Sequence, residues 1–149
     1  MIGTMLRAIT DAAPVKSFTR YEYRPAFQTY YETYAPVFTA AVESREVSQI
    51  ADELLEALQQ YRKKLPFWKR GAAIAEQKMV MVAYLSPMLL RIPDPRCAQL
   101  AQTLREKWGA LWPKDSYDVA DFEKIVGGFR HSVMGIDLAG KHIGKSDDE

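Results

Sequence analysis

Cysteine is almost missing from this 149-residue chain: Cys97 stands alone. One thiol excludes an internal disulfide and any structural zinc site built on several thiolates, and it suits a reducing compartment. Histidine is nearly as scarce. His131 and His142 have neither an i, i+4 partner nor a His-Glu-x-x-His pattern, so no metal site is expected. Charge of one sign is not in excess either. Twenty Lys and Arg face nineteen Asp and Glu, a formal net charge of +1, which removes a whole-molecule pull toward nucleic acid or acidic membrane while leaving a local patch open. Long apolar runs are absent too. The longest, Met79–Leu90, is about twelve residues, contains Pro87, and falls well short of the roughly 20 needed to span a bilayer. Residues Met1 to Ile9 are too short and too weakly apolar for a signal peptide. No GxSxG elbow and no Walker A loop occurs. These absences predict a cytoplasmic protein with no membrane span, no cofactor and no preassembled catalytic cluster.

What is present is an ordinary globular composition. Hydrophobic residues make up 48% and charged residues 26%, which excludes wholesale disorder. The length fits one domain over 1–149. Within it, residues 1–20 are weakly patterned and read as an N-terminal arm or a short capping element, and 139–149 read as a polar tail.

Helical periodicity fills the middle. The first stretch is expected over 25–43, with Pro25 in its first turn and Phe27, Tyr30, Tyr31, Tyr34 and Phe38 forming an aromatic stripe. Pro36 should kink or split it near Ala35. The second is expected over 45–64, capped by Ser44, with Ile50, Leu54, Leu58 and Tyr61 on one face. A third, over 70–91, is apolar nearly all round and therefore central. Asp94-Pro95 starts a fourth that runs to Trp112, its inner face Cys97, Leu100, Leu104, Trp108 and Leu111. A short fifth, over 119–126, should close at Gly127-Gly128, with Phe129 to Leu138 docking back as an apolar hook. The predicted fold class is all-α: a four- to five-helix orthogonal or irregular bundle around a central apolar helix.

Three constellations bear on chemistry. Residues 62–70 gather Arg62, Lys63, Lys64, Trp68, Lys69 and Arg70 beside Phe67. Such a segment can grip an anion or nucleic-acid phosphates and stack a ring; it reads equally as bases complementing a helix C-terminus, with aromatics capping the core. Lys78 shares a face with Ile74, Met81, Val82 and Leu85. A desolvated lysine there can act as base or nucleophile, or simply pair with a carboxylate such as Glu76 or Glu123. With Tyr84 and Arg130 it would be the polar part of a small-ligand pocket. The tyrosine stripe, finally, suits either the bundle interior or the seam of a homo-oligomer.

The segments Phe67-Trp68-Lys69-Arg70, Lys78-Met79-Val80, Tyr84-Leu85-Ser86-Pro87-Met88, Trp112-Pro113-Lys114 and Gly127-Gly128-Phe129-Arg130 together resemble an uncharacterised family of small bacterial hypothetical proteins. The resemblance covers roughly 67–136, and its most specific part is the last segment. It implies one helical domain and no known activity. Some members carry a cysteine-rich stretch after that segment, where this chain has Val133, Met134 and Gly135, so their thiol chemistry does not transfer. The resulting expectation is a non-enzymatic helical interaction module, homo-oligomeric or bound to another protein. Anion or nucleic-acid binding through 62–70 and a ligand pocket near Lys78 are the alternatives.

Overall fold

The structure, a computed structural model, describes residues 2–11, 20–118 and 120–134, with the side chains of 20–22 and 130–134 excepted. The polar tail, the later part of the N-terminal arm and the end of the apolar hook lie outside the described residues. The fold is an all-α bundle, with no strand among the described residues.

The first element, within residues 1–20, is helical and packed on the bundle. Helix α1 (Ile2–Thr10) buries Met5, Ala8 and Ile9 and packs on α2 (Arg20–Ser44), α3 (Val47–Lys63) and α4 (Phe67–Val80). Ile2, Met5, Leu6 and Ile9 fall at the spacing of one helical face, which supplies the burial that nine residues need to stay helical. Its last turn leaves carbonyls without partners; Tyr30 Oη donates to Ala8 O at 2.7 Å and satisfies one of them.

Helix α2 is one helix of 25 residues, not split at Ala35, and Pro25 lies inside it rather than in its first turn. Each internal proline forfeits a backbone hydrogen bond and costs about 3 kcal/mol. The burial of Phe27, Tyr30, Ala35, Phe38, Ala41 and Val42 offsets that cost. The tyrosine stripe is thereby used within the bundle.

Helix α3 starts after Glu46, which makes no side-chain cap bond. Ser44, expected as the cap, instead turns its hydroxyl back to the carbonyls of Ala40 and Ala41. The face Val47, Ile50, Ala51, Leu54 and Leu58 is buried as its spacing implies.

The central rod is continuous from Phe67 to Arg91: α4, a π-helical turn at Met81–Leu85, and α5 (Ser86–Arg91). It begins three residues earlier than expected, and its first ten residues are largely exposed. Burial on all sides is confined to Val80–Leu85, and Leu90 near the far end is exposed. The π turn touches α1, α2 and α8 (Asp121–Met134), and α5 lies on α6 (Pro95–Glu106). Pro87 stands at the start of α5, just past the turn, where a widened backbone tolerates its missing N–H.

Asp94 caps α6 as its sequence announces, accepting from Arg96 N at 2.9 Å. The expected long fourth helix breaks at Lys107, whose φ of −94° and ψ of 12° leave the helical region; α7 (Trp108–Leu111) then resumes. Trp112 is extended (φ −123°, ψ 156°), the conformation that a following proline favours. A 3-10 turn at Lys114–Ser116 leads to α8. Helix α8 does not close at the glycine pair but runs through it. Phe122, Ile125, Val126 and Phe129 pack on the core from one face, and that burial outweighs the helix penalty of two glycines, about 1 kcal/mol each.

Candidate functional site

The α3–α4 corner decides what becomes of the basic segment 62–70. Helix α3 ends at Lys63, and Pro66 in an extended conformation (φ −56°, ψ 145°) redirects the chain into α4. Arg70, one turn into α4, reaches back: its Nε donates to Leu65 O at 3.0 Å and its Nη2 to Lys63 O at 3.2 Å. It thus caps carbonyls that the end of α3 leaves bare.

Arg62 points inward and is 6% exposed. Its Nη2 donates to Leu111 O at 2.8 Å and its Nη1 approaches Gln77 Oε1 at 3.5 Å. The guanidinium lies 5.5 Å from the centre of the Trp112 ring, close enough for a cation–π contact. Burial lowers its pKa from the ordinary arginine value, because desolvation disfavours the charged form. No carboxylate among the described residues pairs with it.

Lys63, Lys64 and Lys69 remain exposed, without an acidic partner among the described residues. Between them stand Phe67 and Trp68, 77% and 70% exposed, packed edge to face with ring centres 5.3 Å apart. They do not cap the core. Of the six cationic and aromatic residues singled out in the sequence, five therefore face solvent at this corner and Arg62 alone turns in.

Beside the corner lies a groove of about 250 Å³ lined by Gln59, Arg62, Lys63, Arg70, Ile74, Trp112 and Pro113. Its rim is cationic and its floor apolar. The indole Nε1 of Trp112 is buried and has no hydrogen-bond partner among the described residues. Sequence reasoning missed Trp112 and Gln59. Trp112 follows a helical face read as pure core, and only the proline after it hints that its backbone leaves the helix.

The three residues assigned to a pocket near Lys78 fare differently. Lys78 is buried, but its partner is Asp121 at 2.9 Å, not Glu76 or Glu123; Glu123 pairs with Arg105 at 2.5 Å. Lys78 Nζ also donates to Ser116 O and sits 5.6 Å from the centre of the Trp112 ring. Asp121 Oδ2 takes a second bond from Trp108 Nε1 at 2.9 Å. This lysine ties the 113–121 connection to the core. Tyr84 lies elsewhere, between the rings of Tyr23 (5.5 Å) and Tyr30 (5.1 Å). Its buried hydroxyl has no hydrogen-bond partner, and burial pushes its pKa up to about 12. The side chain of Arg130 lies outside the described residues; its backbone belongs to α8. Lys78 and Tyr84 thus meet different neighbours. Among the described residues, no three metal-ligating side chains gather, and no helix is long and apolar enough to cross a membrane.

By its fold this is an all-α bundle carrying a cationic, aromatic corner. No family model matches the chain, and no curated protein or solved structure matches it either.

Proposed function

We propose that this protein is a non-enzymatic interaction module whose docking surface is the α3–α4 corner, and that it binds an acidic segment of another protein. The observation that carries the reading is the exposure of Phe67 and Trp68 amid Lys63, Lys64 and Lys69. Tryptophan is the commonest anchor of protein interfaces, and a ring of charge around such an anchor selects the partner. A partner of opposite charge fits better than a second copy of the chain. A two-fold contact would set the same lysines against each other, and of the stripe that could have formed a seam, Phe27, Tyr30 and Phe38 are buried and Tyr31 and Tyr34 partly so. Nucleic acid fits less well, because Arg62 and Arg70 are engaged and only three lysines remain for phosphates. A cytoplasmic location and kinship with the small bacterial family belong to the same reading, and neither adds an activity to it.

Selection of a displayed peptide library against the folded protein tests this. Enriched peptides are expected to combine Asp or Glu with a large apolar residue. Trp68→Ala should weaken them by about thirtyfold, the loss of a hot spot worth roughly 2 kcal/mol, while the distant Arg7→Ala leaves them unchanged. Peptides indifferent to Trp68→Ala would overturn the proposal. So would a single-stranded oligonucleotide bound at low salt and lost on Trp68→Ala, which would assign the corner to nucleic acid.

A further inference from the structure

We infer that the groove between α3, α4 and Trp112 is a binding site for a small organic acid, with its carboxylate against Arg62 and a flat apolar body on Trp112 and Ile74. This site borders the docking corner and shares Lys63 with it, but its ligand is a small acid, and it stands whether or not the corner binds a protein.

The first argument is charge balance in the interior. Arg62 and Lys78 are both buried, and both lie within 6 Å of the Trp112 ring centre. One carboxylate, Asp121, serves the pair, and it bonds Lys78. Among the described residues, one buried positive charge is left without a counter-ion. A buried charge is costly unless it is paired, and a monocarboxylate at Arg62 would pair it. The second argument is shape. Arg62 lines a groove of about 250 Å³, slightly below the usual range for ligand pockets, roughly 300 to 1,000 Å³, so the ligand is small. The third is the lining. Lys63 and Arg70 add positive charge at the rim and Gln59 adds an amide, while Ile74, Trp112 and Pro113 make an apolar floor. A bare inorganic anion would use the rim and leave that floor wet. A flat acid uses both. Arg70 has already spent donors on the carbonyls of Leu65 and Lys63, and Arg62 has spent one on Leu111 O and one, at 3.5 Å, on Gln77 Oε1. Each guanidinium carries five N–H groups, so donors remain for a carboxylate.

Calorimetric titration of the full chain with 2-naphthoate tests the site, with neutral 2-naphthamide and inorganic phosphate as controls. Naphthoate is expected to bind saturably at one site per chain. The amide and phosphate should each be at least about tenfold weaker, the difference of one charge-assisted contact. Lys63→Glu, on the exposed rim, should weaken naphthoate by about tenfold, and Arg62→Gln should abolish binding. Since Arg62 also braces the core, its variant is read only with its helical circular dichroism intact; the Lys63 variant and the amide decide the matter if it unfolds. Equal binding of naphthoate and naphthamide would overturn the inference. So would phosphate binding as tight as naphthoate, affinity untouched by Lys63→Glu, or no saturation.

Discussion

Tyr23 Oη donates a hydrogen bond of 2.5 Å to Ala83 O, the carbonyl four residues before Pro87. Proline has no N–H to give that carbonyl, and a side chain of α2 donates to it. The contact ties the π turn to α2 at the level where Tyr23 also meets Tyr84 and Phe129. Burial holds the Tyr23 phenol well above its ordinary pKa, which keeps it a donor. Tyr23→Phe should cost about 1 kcal/mol in urea denaturation, the worth of one hydrogen bond. In a Pro87→Ala background the backbone regains a donor, and the same substitution should cost measurably less. Equal costs in the two backgrounds would show that the tyrosine acts by packing alone.

The Lys78–Asp121 pair predicts an asymmetry. Asp121→Ala leaves a buried ammonium without a counter-ion and Trp108 Nε1 without its acceptor. It should destabilise by about 3 to 5 kcal/mol. The joint change Lys78→Met with Asp121→Leu removes both charges and should cost far less, with the orphaned indole N–H the main residue of the loss. Thermal melts of the three proteins check this. Comparable losses for the single and the joint variants would mean that packing, not charge, fastens the 113–121 connection.

The acid limb of stability has two identifiable contributors. Hydrogen bonds from the Arg96 side chain and backbone hold the Asp94 carboxyl below its ordinary pKa, and the Ala120 N–H with Lys124 does the same for Asp118. A carboxyl depressed in the folded state adds stability above its unfolded pKa, about 3.9, and that contribution is lost as pH falls through the folded value. Carbon-detected titration should place both midpoints below 3.9, with Arg96→Ala moving Asp94 upward and leaving Asp118 unmoved. Asp118 is exposed and Asp94 half-buried, so raising the salt concentration should shrink the effect more at Asp118.

Much of the fold was legible because its signals are local. The Asp94-Pro95 start, the apolar face of α3 and the all-round apolarity of Met81–Leu85 each depend on neighbours within two turns. What was not legible depends on tertiary partners. Pro25 and Pro36 read as breaks, yet burial of α2 from Phe27 to Val42 keeps it whole. Gly127-Gly128 reads as a stop, yet Phe122, Ile125, Val126 and Phe129 carry the helix across it. The candidate site divides the same way. The sequence marks the residues of 62–70 by type, but nothing local says that Arg62 turns in, that Arg70 caps α3, or that Trp112, fifty residues on, closes the groove. Lys78 was marked as desolvated, and it is; its partner Asp121 lies too far along the chain for any spacing rule to choose it over Glu76 or Glu123.

Gly128 offers the cleanest check on the claim that α8 runs through the glycine pair. A Cβ built there meets nothing within 4 Å, and the position is helical. Gly128→Ala removes unfolded-state freedom without a clash, so it should stabilise by about 0.5 to 1 kcal/mol. For a chain of this length that corresponds to a rise of roughly 1 to 4 °C in Tm. Gly109 is the counter-case. A Cβ there would come within 2.8 Å of the Tyr117 ring, so Gly109→Ala must push Tyr117 aside and should bring no gain. If α8 instead ended at the pair with a left-handed glycine, Gly128→Ala would strain the backbone and lower Tm. The sign of one melting shift therefore decides between a helix that stops at Gly127-Gly128 and one that crosses it.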